Sequence, residues 1–230
     1  MQRGLYVIFE GNDGAGKSTT MKAVAQALPD RLKREFQLKL THHPGSTPLG
    51  THLRKLVKYP EQIDANIQID SLSRQMLYMV DTVSFIKQIL EPSLAIGESV
   101  FADRSSFISA LVYGTAEGLK YDDIERLFSI ITPPKADRLY ILRCPWKVGK
   151  ERLHGRQEQR DHFERKPEAF FQKVEEIYND LITGAAERTL LVQRSVRVDN
   201  IINIDSTLPL NNVVDLVIDD LVRIIDEPRV

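Results

Sequence analysis

The sequence predicts an α/β fold: a five-stranded parallel sheet with helices on both faces. Three observations predict it. Five short segments rich in β-forming residues, 5–9, 36–40, 99–102, Arg138–Arg143 and 198–204, alternate with stretches of helical apolar spacing. The first of them, Leu5-Tyr6-Val7-Ile8-Phe9, is apolar throughout, as a strand buried on both faces must be. Between that strand and the first helical stretch lies a single glycine-rich loop, Gly11-Asn12-Asp13-Gly14-Ala15-Gly16-Lys17-Ser18-Thr19.

Each element follows from local chemistry. The helix after the loop reads from Thr20 to its stop at Pro29, because proline cannot donate to the preceding turn. Phe36-Gln37-Leu38-Lys39-Leu40 is partly polar, which assigns this strand to a sheet edge. A turn-rich segment, 41–50, leads to a helix over 51–58 with Leu53, Leu56 and Val57 on one face. From 67 to 90 the apolar residues recur at helical spacing and predict the longest helix, with Pro92 ending it or following a last turn. Further helices are expected over 107–116, 122–131 and 146–153, then from Pro167 through Leu181, and over 211–225.

The bulk properties bound the rest. A chain of 230 residues fits one α/β domain, 1–230, although two small domains are an alternative. The net charge of −1 gives no broad surface for nucleic acid or membrane. Cys144 is the only cysteine, so an intrachain disulfide is excluded. With no signal segment and no apolar run long enough to span a bilayer, the expected location is the cytoplasm.

The loop carries the chemistry. It matches G-x-x-x-x-G-K-[ST] between a strand and a helix, the arrangement that curls backbone N–H groups round a polyphosphate and adds the positive end of a helix dipole. Gly11, Asn12, Asp13, Gly14, Ala15, Gly16, Lys17, Ser18 and Thr19 are therefore the expected ATP-binding residues. Lys17 reaches the terminal phosphates and the Ser18 hydroxyl ligates Mg²⁺. In such a sheet, ligands bind beyond the carboxyl ends of the strands. That rule gathers the 42–45 segment, Asp103-Arg104 and the basic segment after Cys144 around the loop. Asp103 is the expected second Mg²⁺ ligand; an ordinary helix cap is the plain alternative. Arg104 is a clamp for an acceptor phosphate, with a surface salt bridge as its alternative. Arg152, Arg156, Arg160 and Arg165 recur at spacings of four, four and five. With the intervening Gly155, Gln157, Glu158 and Gln159 they read as a flap over about 150–166 that brings positive charge to the transferred group.

Taken together these stretches resemble the thymidylate kinase family of P-loop nucleoside monophosphate kinases, nearly end to end. Phe9 to Thr19 resembles the family's version of the loop, with an acidic residue at Asp13. Pro44-Gly45-Ser46-Thr47-Pro48-Leu49-Gly50 and the following Arg54 resemble its Pro-Gly-Gly-Thr-x-Leu segment. Asp103-Arg104, the segment 160–164, Phe170-Phe171 with Tyr178, and Ile204-Asp205-Ser206-Thr207 match in turn. The resemblance implies a P-loop kinase fold, ATP and Mg²⁺ as cofactors, and transfer of the ATP γ-phosphate to dTMP. It implies catalytic roles for Asp13, Lys17, Arg104, Arg152, Arg156 and Arg160. It implies acceptor contacts at Asp13, Pro44, Arg54, Tyr78, Arg104, Ser109, Tyr113 and Tyr178. It also implies small-molecule nucleotides as partners, and a homodimer packed through helices.

Some positions depart from that pattern. His42-His43 stand where an Arg-containing pair is usual; adjacent residues on an extended chain point to opposite sides, which argues against a metal pair. Gly14 stands where one branch has an Arg, which assigns charge neutralisation to the flap. Thr82, one turn after the base-stacking Tyr78, replaces an Arg that reads the base, and Arg74 is the candidate substitute. Ser109 and Tyr113 come about one residue late, and His162 replaces an Arg. The acceptor base is thus less determined than the reaction: dUMP or a 5-substituted deoxypyrimidine nucleotide are alternatives to dTMP. The rival functions are a deoxynucleoside kinase and a nucleotide-binding module without catalysis. A GTPase lacks support, since no Asn-Lys-x-Asp motif is present.

Overall fold

The computed structural model describes residues 2–154, 161–184 and 190–226. Five parallel strands, β1 (Tyr6–Glu10), β2 (Leu38–His42), β3 (Ser99–Asp103), β4 (Arg138–Arg143) and β5 (Ile201–Asp205), form one sheet in the order β2-β3-β1-β4-β5. The partly polar β2 is an edge strand, as its sequence predicts.

Alternation along the strands divides the core in two. Tyr6, Ile8, Val100, Ala102, Leu139 and Ile141 face one cluster, while Val7, Phe9, Phe101, Tyr140 and Leu142 face the other. On the second face pack α1 (Lys17–Leu32) and α10 (Leu210–Ile225), through Val24, Leu28, Val217 and Leu221. The first face is covered by α3 (Ser71–Phe85), α5 (Ser106–Ser109) and α8 (Glu168–Thr183), through Phe85, Ile108, Val174 and Ile177. Each such side chain contributes about 1.5–3 kcal/mol by leaving water. The shorter helices are α2 (Pro48–Lys58), α4 (Glu91–Ala95), α6 (Tyr121–Phe128), α7 (Trp146–His154) and α9 (Leu190–Ser195).

Several boundaries differ from expectation, each for a local reason. Helix α1 runs past Pro29 to Leu32 and closes on Lys33 in the left-handed conformation, whose N–H bonds to the Asp30 and Pro29 carbonyls. Pro29 lies in the last turn, where it removes one N–H donor from the helix ladder. Helix α2 starts three residues early because Thr47 caps it, accepting from Gly50 N, and Pro48 suits the first turn. Strand β2 is shifted two residues along the chain, while β5 starts three residues late and ends one late because a 3₁₀ turn occupies Val198–Asn200. The long helical run starts at the Asp70 cap rather than at 67 and does not stop at Pro92. It widens to a π turn, Ile86–Leu90, and continues as α4. The wide turn directly precedes the proline, whose ring would crowd the carbonyl four residues back in a regular helix. Along α3 the outward face leaves Leu72, Met76, Val80 and Val83 exposed.

Candidate active site

The carboxyl ends of β1, β2 and β3 and the start of α1 border one open cleft whose empty space is about 1010 Å³. The glycine loop forms its floor. Gly11, Gly14 and Gly16 all have positive φ, and Gly16 hands the chain directly into α1 at Lys17. Asn12 ties the loop to the end of β4, its side-chain amide donating to the Cys144 carbonyl at 3.2 Å. The Lys17 ammonium folds over the loop and donates to the carbonyls of Gly11 (3.0 Å) and Asn12 (2.8 Å). Burial, and then the nearby Arg104 charge, lower its pKa from 10.5 to about 8. One residue on, the Ser18 hydroxyl donates to the Asp103 carboxylate from the end of β3. The two expected Mg²⁺ ligands therefore meet.

Arg104 adopts a left-handed backbone (φ 77°), rare for a residue with a Cβ. That turn sends its guanidinium back across β1. One edge donates to Asp13 and to the Tyr113 hydroxyl (2.8 Å). The other donates to Glu10 and the Tyr178 hydroxyl, both at 3.4 Å, and the group lies 4.9 Å over the Tyr113 ring. The Asp13 carboxyl is held down at about 2: burial alone would raise it, but the Arg104, Lys17 and Lys58 charges outweigh that.

Of the residues expected from the sequence, Asp13, Gly14, Gly16, Lys17, Ser18, Thr19, Pro44, Arg54, Tyr78, Asp103, Arg104, Ser109 and Tyr113 line this cleft. Arg54 donates to the Pro44 carbonyl at 2.9 Å. Tyr113 arrives through a π turn, Ala110–Gly114, directly after Ser109. A π turn holds one residue more than an α turn, which is what a one-residue insertion in a helix produces.

Other expected residues lie apart. Arg74 is almost fully buried, donates to the Val57 and Ile69 carbonyls, and lies 5.7 Å from the Phe163 ring centroid. Thr82 is buried and donates back to the Tyr78 carbonyl at 2.7 Å. Neither lines the cleft, because both side chains satisfy backbone groups inside the α3 packing. The Tyr178 hydroxyl also donates to Glu10 (2.8 Å), and Arg152 donates to the Ser206 carbonyl (3.0 Å). Arg156 and Arg160 lie outside the described residues.

The structure also brings in residues to which the sequence reading gave no site role. Glu10, wholly buried, collects donors from β1's neighbours. His43 of the cleft wall faces Asp81 at 3.3 Å, and Asp81 also accepts from Gly45 N. Lys58 pairs with Asp161 at 2.6 Å on the far wall, where Phe163 and Glu164 follow. A charged residue ending an apolar strand is the local signal for Glu10; the histidine pair and the 160–164 segment are those for His43, Asp161, Phe163 and Glu164. Among the described residues no group of three or more His, Cys, Asp or Glu is arranged to hold a metal ion.

Gly14 faces the first turn of α7. A Cβ built on it would lie 2.1 Å from the Gly149 carbonyl oxygen, and one on Gly149 would lie 2.4 Å from the Asp13 carbonyl oxygen.

Comparison with known proteins agrees with this geometry. The family model described as thymidylate kinase matches residues 9–203. The chain is 29% identical over 227 residues to a thymidylate kinase of Lactobacillus helveticus, covering 98% of this chain and 99% of that one. It is 30% identical to a thymidylate kinase of Exiguobacterium sibiricum over 86% and 90% of the two chains. With a thymidylate kinase of Synechococcus sp. the figures are 33%, 74% and 81%.

Proposed function

This chain belongs to the thymidylate kinase family, and from that membership we infer that it transfers the γ-phosphate of ATP to dTMP, giving ADP and dTDP. The observation that carries the reading is a single cleft. It joins a donor-phosphate loop (Lys17, Ser18) to an acceptor wall (Asp13, Arg54, Tyr78, Arg104). Phosphoryl transfer needs two phosphates in line and their charge neutralised, with little covalent help.

The loop from Gly11 to Thr19 holds the ATP phosphates, with Lys17 as the main cation. The meeting atoms of Ser18 and Asp103 are a hydroxyl and a carboxylate oxygen, the hard donors that suit Mg²⁺. Bound there, the ion would neutralise charge on the donor phosphate oxygens. Arg54 and Arg104 hold the acceptor phosphate, and Asp13 orients the acceptor through its 3′-hydroxyl or its phosphate. Tyr78 stacks on the base beside Pro44, while Ser109 and Tyr113 complete the wall. With Arg74 and Thr82 engaged elsewhere, neither reads the base edge. The loop carries no cation at Gly14, where a side chain would strike α7, so Arg156 and Arg160 of the flap, with Arg152 once it leaves the Ser206 carbonyl, supply charge to the transferred group.

The protein is proposed to work as one domain, 1–230, in the cytoplasm; no described helix is long and apolar enough to cross a membrane. It is proposed to form a homodimer through α3, whose exposed Val80 and Val83 share an apolar groove with Leu49 and Ile130.

A coupled ADP-release assay over dTMP, dUMP, thymidine and the purine monophosphates tests the reaction. Turnover is expected to be fastest with dTMP. No turnover with any deoxypyrimidine monophosphate would overturn the reading, and turnover with thymidine alone would make the protein a nucleoside kinase.

A further inference from the structure

Glu10 ends β1 with no exposed surface and does not line the cleft, so it has no route to a substrate. A carboxylate in such a place is costly unless donors surround it. Here they do. Oε1 accepts from Ser105 N (2.8 Å) and the Ser109 hydroxyl (3.0 Å). Oε2 accepts from the Tyr178 hydroxyl (2.8 Å) and Arg104 Nη1 (3.4 Å).

The distribution of these partners is informative. One oxygen holds the backbone directly after Arg104, and the other holds the Arg104 guanidinium. The Arg104 N–H itself is bonded to the Phe9 carbonyl at 2.9 Å, one residue before Glu10. A single carboxylate thus grips the arginine at both ends, across a left-handed turn that a non-glycine residue does not adopt unaided. With Nη1 engaged by Glu10 and Tyr178, Nη2 is turned to Asp13 and Tyr113, two residues of the cleft wall.

We propose that Glu10 is a positioning residue for the reaction: it fixes the Arg104 guanidinium beside Asp13 and Tyr113 on the cleft wall, where the acceptor phosphate binds. The proposal rests on the reading of Arg104 as an acceptor-phosphate ligand. Preorganising that group removes the cost of ordering a long side chain when the phosphate arrives.

The test separates phosphate recognition from the rest of acceptor binding. Glu10→Gln keeps the side-chain volume but exchanges one accepting oxygen for an NH₂ facing other donors. Calorimetric titration of the wild-type and variant proteins with dTMP and with thymidine, which lacks the phosphate, is the measurement. The expected result is dTMP binding weakened about tenfold or more while thymidine binding changes by less than about twofold. A general structural defect would weaken both ligands together, and that outcome overturns the proposal, as does unchanged dTMP affinity. If Glu10→Gln does not fold, Tyr178→Phe removes one of the four donors and is expected to show the same selectivity with a smaller factor; equal loss of both ligands again overturns it. A wild-type protein that binds neither ligand overturns the functional reading itself, which is a distinguishable result.

Discussion

Gly14 and Gly149 meet backbone to backbone: the glycine loop and α7 touch where neither residue has a side chain. Any side chain at Gly14 must push α7 away and also occupy φ 79°. Gly14→Ala is therefore expected to cost activity by about 100-fold or more, through displacement of the loop from its phosphate geometry. It is also expected to lower thermal stability, with the left-handed backbone alone worth about 1–2 kcal/mol. Steady-state kinetics with a melting curve checks both. Wild-type activity in Gly14→Ala would mean that this contact does not set the loop.

Lys17 and the half-buried Asp13 both have lowered pKa values, and both make stability rise with pH, in separate windows. Lys17 is depressed to about 8, first by burial and then by Arg104, from an ordinary 10.5. The folded state then binds fewer protons than the unfolded state between those values, so this group adds stability as pH rises through about 8. ATP binding runs the other way, because phosphate needs the ammonium. Above about pH 8 the free protein must take up a proton to bind, and affinity is expected to fall by up to about tenfold per pH unit. Calorimetry in buffers of different ionisation enthalpy reads that proton uptake directly, and Lys17→Met is expected to abolish it. Asp13, held at about 2 by Arg104, Lys17 and Lys58 against the effect of its burial, stabilises the fold above its ordinary 3.8. That contribution is lost as pH falls toward 2, and Asp13→Asn is expected to flatten the acid limb of the stability curve.

The apolar face of α3 carries the third expectation. Val80 and Val83 are each more than two-fifths exposed, beside Leu49 and Ile130. Burial of such a face against a second copy removes apolar surface from water. Light scattering is expected to give twice the chain mass for the wild type and the single-chain mass for Val80→Asp. A monomeric wild type would exclude this dimer.

Legibility in the sequence followed the range of the interactions involved. Lys17, Ser18 and the glycines were readable because the loop is built from neighbours, and its strand and helix follow directly. Asp103 and Arg104 were readable because strand ends converge in a parallel sheet. Arg74 and Thr82 were not: periodicity gives the helix face they share with Tyr78, but the nearby carbonyls that satisfy them lie inside the packing. The role of Glu10 was hidden for a related reason, since its donors Ser105 and Tyr178 are 95 and 168 residues away.

The sequence by itself determined the alternation of strands and helices, the phosphate loop and the chemistry of the residues that meet at one rim. These rest on local spacing and on the rule that parallel strands present their carboxyl ends together. Only the tertiary structure decided which of those groups are free to face a ligand. Burial and hydrogen bonding turn Arg74 and Thr82 inward, close Gly14 against Gly149, and set Arg104 between Glu10 and Asp13. A polar side chain bonds whatever the fold brings near it, and that partner is not written beside it in the chain.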